Sequence, residues 1–216
     1  MSNNPTQKSY DLVAEEYARH MLNELDHKPR DRQLLEQFAK QVAGMDRGSD
    51  HGRVADLGTG PGQIARFLHD HGVDAFGIDL SPAMVELARR EHPGIEFEQG
   101  DMRALPLPDN SLAGMTAFYC IIHIPRPDVI DVLKELRRVL QPGAPLLISF
   151  HRGEQVVHRD EWWGETVSVD FVFFERDEMI GYLQSAGFII DEVVERDFYP
   201  DSDEAQTKRV YIFAHK

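Results

Sequence analysis

The chain has 216 residues, with 23 Lys and Arg against 37 Asp and Glu, a formal net charge of −14. That length suits one α/β domain with a sizeable core and is short for two, while the acidic balance, with no Lys or Arg run, argues against a nucleic-acid backbone or an anionic membrane as partner. Cys120 is the only cysteine, which excludes an intramolecular disulfide and a cysteine-based zinc cluster. The polar start, Met1 to Thr6, lacks the basic and apolar regions of a signal peptide, and no apolar run approaches the roughly 20 residues of a membrane helix. A soluble, cytoplasmic protein without a membrane span is therefore expected.

In chain order, Tyr10, Val13, Ala14, Tyr17 and Met21 fall at helical spacing over residues 6–20, and Leu34, Leu35, Phe38 and Val42 do so over residues 30–43, with Gly44 and Gly48 closing the region. On spacing alone, Tyr10 and Tyr17 either pack as the apolar side of this helix or lid a site.

Residues 54–57 predict a short buried strand that runs into Gly58-Thr59-Gly60-Pro61-Gly62, after which Ile64, Phe67 and Leu68 mark a helix. Strand, glycine-rich turn and helix in that order open a nucleotide-binding βαβ unit. Gly60 to Ala65 also fits the dinucleotide fingerprint, so the glycines alone are compatible with NAD. Asp56 favours another ligand: a carboxylate here repels a pyrophosphate but suits the ammonium group of S-adenosylmethionine (SAM). Asp as a plain turn former is the alternative.

Residues 73–80 predict the second strand, ending on Asp79, and Ser81-Pro82 starts a capped helix. Asp79 lies about 20 residues past the turn, where βαβ geometry sets a carboxylate on ribose hydroxyls of either SAM or NAD. A third strand over 95–99 leads to Gly100-Asp101-Met102, placed to meet an adenine edge and face. The fourth strand covers 112–119 and continues into Cys120-Ile121-Ile122-His123.

These stretches, with Arg138-Val139-Leu140-Gln141-Pro142-Gly143 beyond them, make residues 53–150 resemble a class I SAM-dependent methyltransferase, similar to the small-molecule branch grouped with ubiquinone-pathway and type 11 enzymes. The resemblance implies one Rossmann-like α/β domain over 1–216 with a seven-stranded, mostly parallel sheet in the order 3-2-1-4-5-7-6, the last strand antiparallel. It divides the chain into an N-terminal helical cap (1–48), a SAM-binding core (53–150), a substrate-side insertion (151–174) and a C-terminal part (175–216). By the same resemblance Asp56 and Gly58 lie at the methionine end, Gly60 against the cofactor, Asp79 on the ribose, Leu80 on the adenine, and Asp101 with Met102 at its edge and face. Tyr119 lines the methyl region and Tyr17 closes over the cofactor.

A helix over 129–140 precedes a fifth strand over 145–150. Residues 151–165 read as a polar and aromatic connector, 167–174 as alternating apolar positions, and a helix over 177–186 leads to strands over 188–194 and 208–214. The aromatics Trp162, Trp163, Phe171 and Phe173 either roof an acceptor pocket or pack an extra strand on the domain. His123 and His151 follow strands whose ends face the cofactor and are the candidate general bases, needed where an acceptor must lose a proton. No metal site has recognisable ligand spacing. The favoured function is methyl transfer from SAM, leaving S-adenosylhomocysteine (SAH), to a small-molecule acceptor, with no nucleic-acid partner. A protein or RNA methyltransferase, and a non-catalytic SAM- or SAH-binding module, remain open alternatives.

Overall fold

The computed structural model describes residues 4–45, 52–200 and 204–216; Gly48 lies outside them. Seven strands form one sheet: β1 Arg53–Leu57, β2 Ala75–Asp79, β3 Phe97–Gln99, β4 Leu112–Phe118, β5 Pro145–His151, β8 Ile189–Arg196 and β9 Arg209–His215. Their order is β3-β2-β1-β4-β5-β9-β8. Strands β1 to β5 pair in parallel, and β9 runs antiparallel to both of its neighbours. This is the expected order once two strands, β6 Val156–Trp162 and β7 Glu165–Val172, are set aside, because they pair only with each other. Residues 151–162, read as a connector, thus contain a strand.

Central strands covered on both faces need apolar side chains in both directions. In β5, Leu146, Ile148 and Phe150 face one core with α5 (Val129–Val139) and α6 (Arg176–Ser185), while Leu147 joins the opposite core with α2 (Pro29–Ala43) and α3 (Gln63–Asp70). Strand β9 alternates likewise, with Val210, Ile212 and Ala214 on the first side and Tyr211 and Phe213 on the second. Helix α4 (Pro82–Glu91) covers β2 and β3.

The remaining elements build a roof over the carboxyl ends of the strands. Helix α1 (Pro5–Met21) is capped by Asn4, whose side chain accepts from the amides of Thr6 and Gln7. It rests on α4 through Asp11, which accepts from the Ser81 hydroxyl at 2.5 Å, and on β7 through Ser9, whose hydroxyl accepts from the Ser168 amide at 2.9 Å. The β6–β7 hairpin turns at Trp163 and Gly164, both with positive φ, as a two-residue turn matching the strands' twist requires. Its buried side, Trp162, Val167 and Val169, packs on Val13 of α1. Among the described residues no helix is long and apolar enough to cross a membrane.

Candidate functional site

The turn between β1 and α3 forms the floor. Gly58 takes φ of +61° and a methyl group on it would sit 2.3 Å from Cβ of Cys120, so only glycine fits between strand and turn. Gly60, at φ +53°, presents bare backbone beneath Tyr17. Asp56 does not line this hollow. Its carboxylate is buried and accepts from the hydroxyls of Thr59 at 2.7 Å and Thr116 at 2.8 Å, so it ties the turn to β4. Burial pushes its pKa up to about 7 against the pull of those hydroxyls.

Asp79 ends β2 beside the turn. One oxygen accepts from the Gly60 amide and the other from the Ser81 amide, each at 2.8 Å, which fixes the carboxylate at the mouth of α4. Burial raises its pKa to about 6. Each oxygen keeps a lone pair for a further donor, as a ribose diol would supply. Leu80, Asp101 and Met102 line the same hollow, with Ile78 and Ile124 adding apolar wall for a flat base.

In an adjoining hollow, which shares Gly58 and Gly60 with this one, Gln63 donates to Glu24 at 2.9 Å, leaving its buried Oε1 with no partner in the protein among the described residues. An unpaired buried acceptor next to a carboxylate suits an ammonium group. The first hollow thus offers a diol acceptor and an apolar slot, and the adjoining one an ammonium acceptor, matching the kinds of group that SAM presents. The residues fit that cofactor.

Tyr17 and Tyr119 both lie where the first hollow meets this second one under the hairpin. Tyr17 stands between Tyr10, Trp162 and Trp163 in edge contacts of 5.7–6.1 Å between ring centres. Tyr119 carries φ of +52°. Its phenol meets that of Tyr211 at 2.8 Å, while Tyr211 donates to Asp31 at 2.6 Å and accepts from Nε of Arg196 at 2.9 Å. With Tyr211's proton committed to Asp31, Tyr119 is the donor of the phenol pair, and its remaining lone pairs only accept.

The two candidate bases are both uncharged near neutral pH. His123 accepts at Nε2 from the Tyr10 phenol at 2.8 Å, because Nδ1 must donate to the Asp170 carbonyl at 2.9 Å. Burial lowers its pKa to about 4. It holds α1 to the hairpin and is a weak base. His151 hydrogen-bonds Thr207 through Nδ1 at 2.8 Å, and burial, with Arg209 nearby, lowers its pKa to about 3. It faces the second hollow, which Phe118, Ile122, Trp162, Phe171 and Phe173 also line.

Residues 54–143 match the family model described as a methyltransferase domain. Similar proteins include the demethylmenaquinone methyltransferase of Renibacterium salmoninarum, 33% identical over 97 residues, which cover 45% of this chain and 40% of that one. A malonyl-[acyl-carrier protein] O-methyltransferase of Enterobacter lignolyticus is 27% identical over 159 residues, 72% of this chain and 57% of its own. The fold is also that of a SAM-dependent methyltransferase from Methanosarcina mazei, with TM-score 0.67 and 19% identity over 76% of this chain and 92% of the other. The chain carries a class I SAM-dependent methyltransferase domain.

SAM is the cofactor of this methyltransferase family, in keeping with the fit of the residues above. The matched segment ends before the hairpin, so the family match covers the cofactor floor but not the roof. The chain spans about two fifths of the first relative's length and under three fifths of the second's. Glu24 and Gln63 line the second hollow and were not singled out in the sequence, and Tyr10, read with Tyr17 as packing or lid, lines both hollows. A tyrosine at helical spacing was visible at position 10, but the side-chain geometry of Glu24 and Gln63 has no sequence signal.

Proposed function

We propose that the protein transfers a methyl group from SAM to a small-molecule acceptor in the cytoplasm. When bound, SAM would supply a sulfonium methyl whose carbon an acceptor lone pair attacks in line, the C–S bonding pair leaving on sulfur as SAH. Asp79 would hold the ribose, with Leu80, Asp101 and Met102 along the adenine. Gln63 and Glu24, with the backbone of Gly58 and Gly60, would take the methionine end. Asp56 acts on the turn through Thr59 and Thr116. Tyr119 presents acceptor lone pairs, which suit a neighbouring positive centre. Residues 151–174 act as the substrate-side insertion: with α1 they exclude water and orient the acceptor, which supplies much of the acceleration in such a displacement.

The observation that carries this proposal is the second hollow, which adjoins the cofactor hollow at Tyr17, Gly58, Gly60 and Tyr119 and is roofed by the hairpin. A roofed chamber suits a compact acceptor better than a protein surface or an RNA. Relatives named for demethylmenaquinone and for malonyl-acyl-carrier protein add that carbon skeletons of quite different shape occur among similar proteins.

The test is to incubate methyl-labelled SAM and purified protein with a cell extract and separate the label by size. Label in the small-molecule fraction is the expected result. Label on protein or RNA contradicts the proposal, and tight SAM binding without any transfer favours a binding module.

A further inference from the structure

The second hollow also has a defined chemistry, and an inference about it rests on the methyl-transfer function proposed above. Its walls are flat. Trp162 and Phe171 meet edge to face at 5.7 Å, and Phe173, two residues beyond Phe171, stacks on the His151 ring with centres 5.0 Å apart and planes 21° apart. Aromatic walls of this kind favour a planar, conjugated guest.

Its charges are unequal. Lys28 pairs with Glu24 and Glu204, and Arg209 pairs with Glu204, so these groups satisfy one another. Arg159 differs: its guanidinium lies 5.5 Å from the centre of the Trp162 ring and 5.9 Å from that of Phe171, and among the described residues it has no ion pair. His123 and His151 are uncharged at neutral pH because of burial, so neither adds a cation. In a chain of net charge −14 this leaves Arg159 as the lining cation without an ion pair among the described residues.

We infer that the acceptor is a planar aromatic carboxylate, its ring packed against Trp162, Phe171 and Phe173, and its carboxylate met by Arg159. A bidentate guanidinium–carboxylate contact gives orientation as well as affinity, and it points the far side of the ring toward Tyr119 and the cofactor hollow.

The chain's two tryptophans, Trp162 and Trp163, both line this chamber, so intrinsic tryptophan fluorescence reports on it alone. Protein saturated with SAH is titrated with benzoate and benzamide by fluorescence, and with 2-naphthoate and 2-naphthamide by calorimetry. Each carboxylate is expected to bind about tenfold or more tighter than its amide, an advantage that collapses in Arg159→Met. Equal affinities within both pairs, an advantage that persists in Arg159→Met, or no binding of any probe to protein that binds SAH, overturns the inference and leaves methyl transfer standing. Failure to bind SAH overturns both.

Discussion

The Tyr10 phenol donates to Nε2 of His123 across 2.8 Å, and the opposite ring nitrogen donates to the Asp170 carbonyl of the hairpin. One imidazole thus joins the roof helix, the loop after β4 and the hairpin. If that joint is structural, His123→Ala and Tyr10→Phe should both speed SAM release and raise protease sensitivity of the first 21 residues, each at a cost of about 1 kcal/mol. Neither should remove an inflexion near pH 4 from the pH–rate profile, where a catalytic His123 would place one. Stopped-flow release and the pH profile separate the two roles.

The same burial shapes stability. The folded pKa values of His123 and His151, about 4 and about 3, lie below the ordinary 6.5, so the unfolded chain binds more protons between about pH 3 and 6.5. Their contribution to stability is therefore present above pH 6.5 and is lost as the pH falls through that window. Replacing both with Asn should flatten the acid limb of denaturant midpoint against pH.

Asp79 has the opposite sign. Its pKa is raised from 3.8 to about 6, so its contribution to apo-protein stability is present at low pH and is lost as pH rises through 6. A cationic ligand whose hydroxyls donate to the ionised carboxylate recovers that loss. SAM affinity should accordingly rise between pH 5 and 7, by up to about tenfold per pH unit below the pKa, and level off above it. In Asp79→Asn the affinity should be lower and nearly independent of pH; calorimetry across this range decides.

The cofactor turn should discriminate between glycines. Gly58→Ala forces a side chain into left-handed backbone and against Cys120, whereas Gly72→Ala, at φ +80° in open space, meets only the backbone strain. The second should cost about 1 kcal/mol by thermal unfolding. The first should cost several times more and abolish SAM binding.

How much of this was legible in the sequence depended on the kind of signal. Strands β1, β2, β4 and β5 and the turn after β1 announced themselves because doubly buried parallel strands are apolar throughout and the turn needs positive φ. The resemblance then supplied the sheet order. Strand β6 stayed hidden because nearly all of it is exposed, Val156 and Val157 included, so no alternation could form. Asp56 was read as a ligand contact because sequence shows a carboxylate at a strand end, while its burial and its bonds to two threonine hydroxyls have no sequence signal. The histidines were read as bases because spacing carries no measure of burial.

Behind the site, Asp31 and Arg196 form a buried pair at 3.0 Å that also anchors Tyr211 and, through it, Tyr119. Asp31→Ala leaves a buried guanidinium short of one partner and should cost about 3–5 kcal/mol by chemical denaturation. Tyr211→Phe, which frees the Tyr119 proton, should instead narrow the affinity gap between SAM and SAH with a smaller loss of stability.

The most direct measurement is a calorimetric titration of SAM into the wild-type protein and into Asp79→Ala at pH 7.5. Saturable one-to-one binding by the wild type, weakened in the variant by about 1.5–3 kcal/mol, is the expected result. No heat of binding with the wild type, or equal affinity for the two proteins, would contradict the assignment of this hollow to SAM.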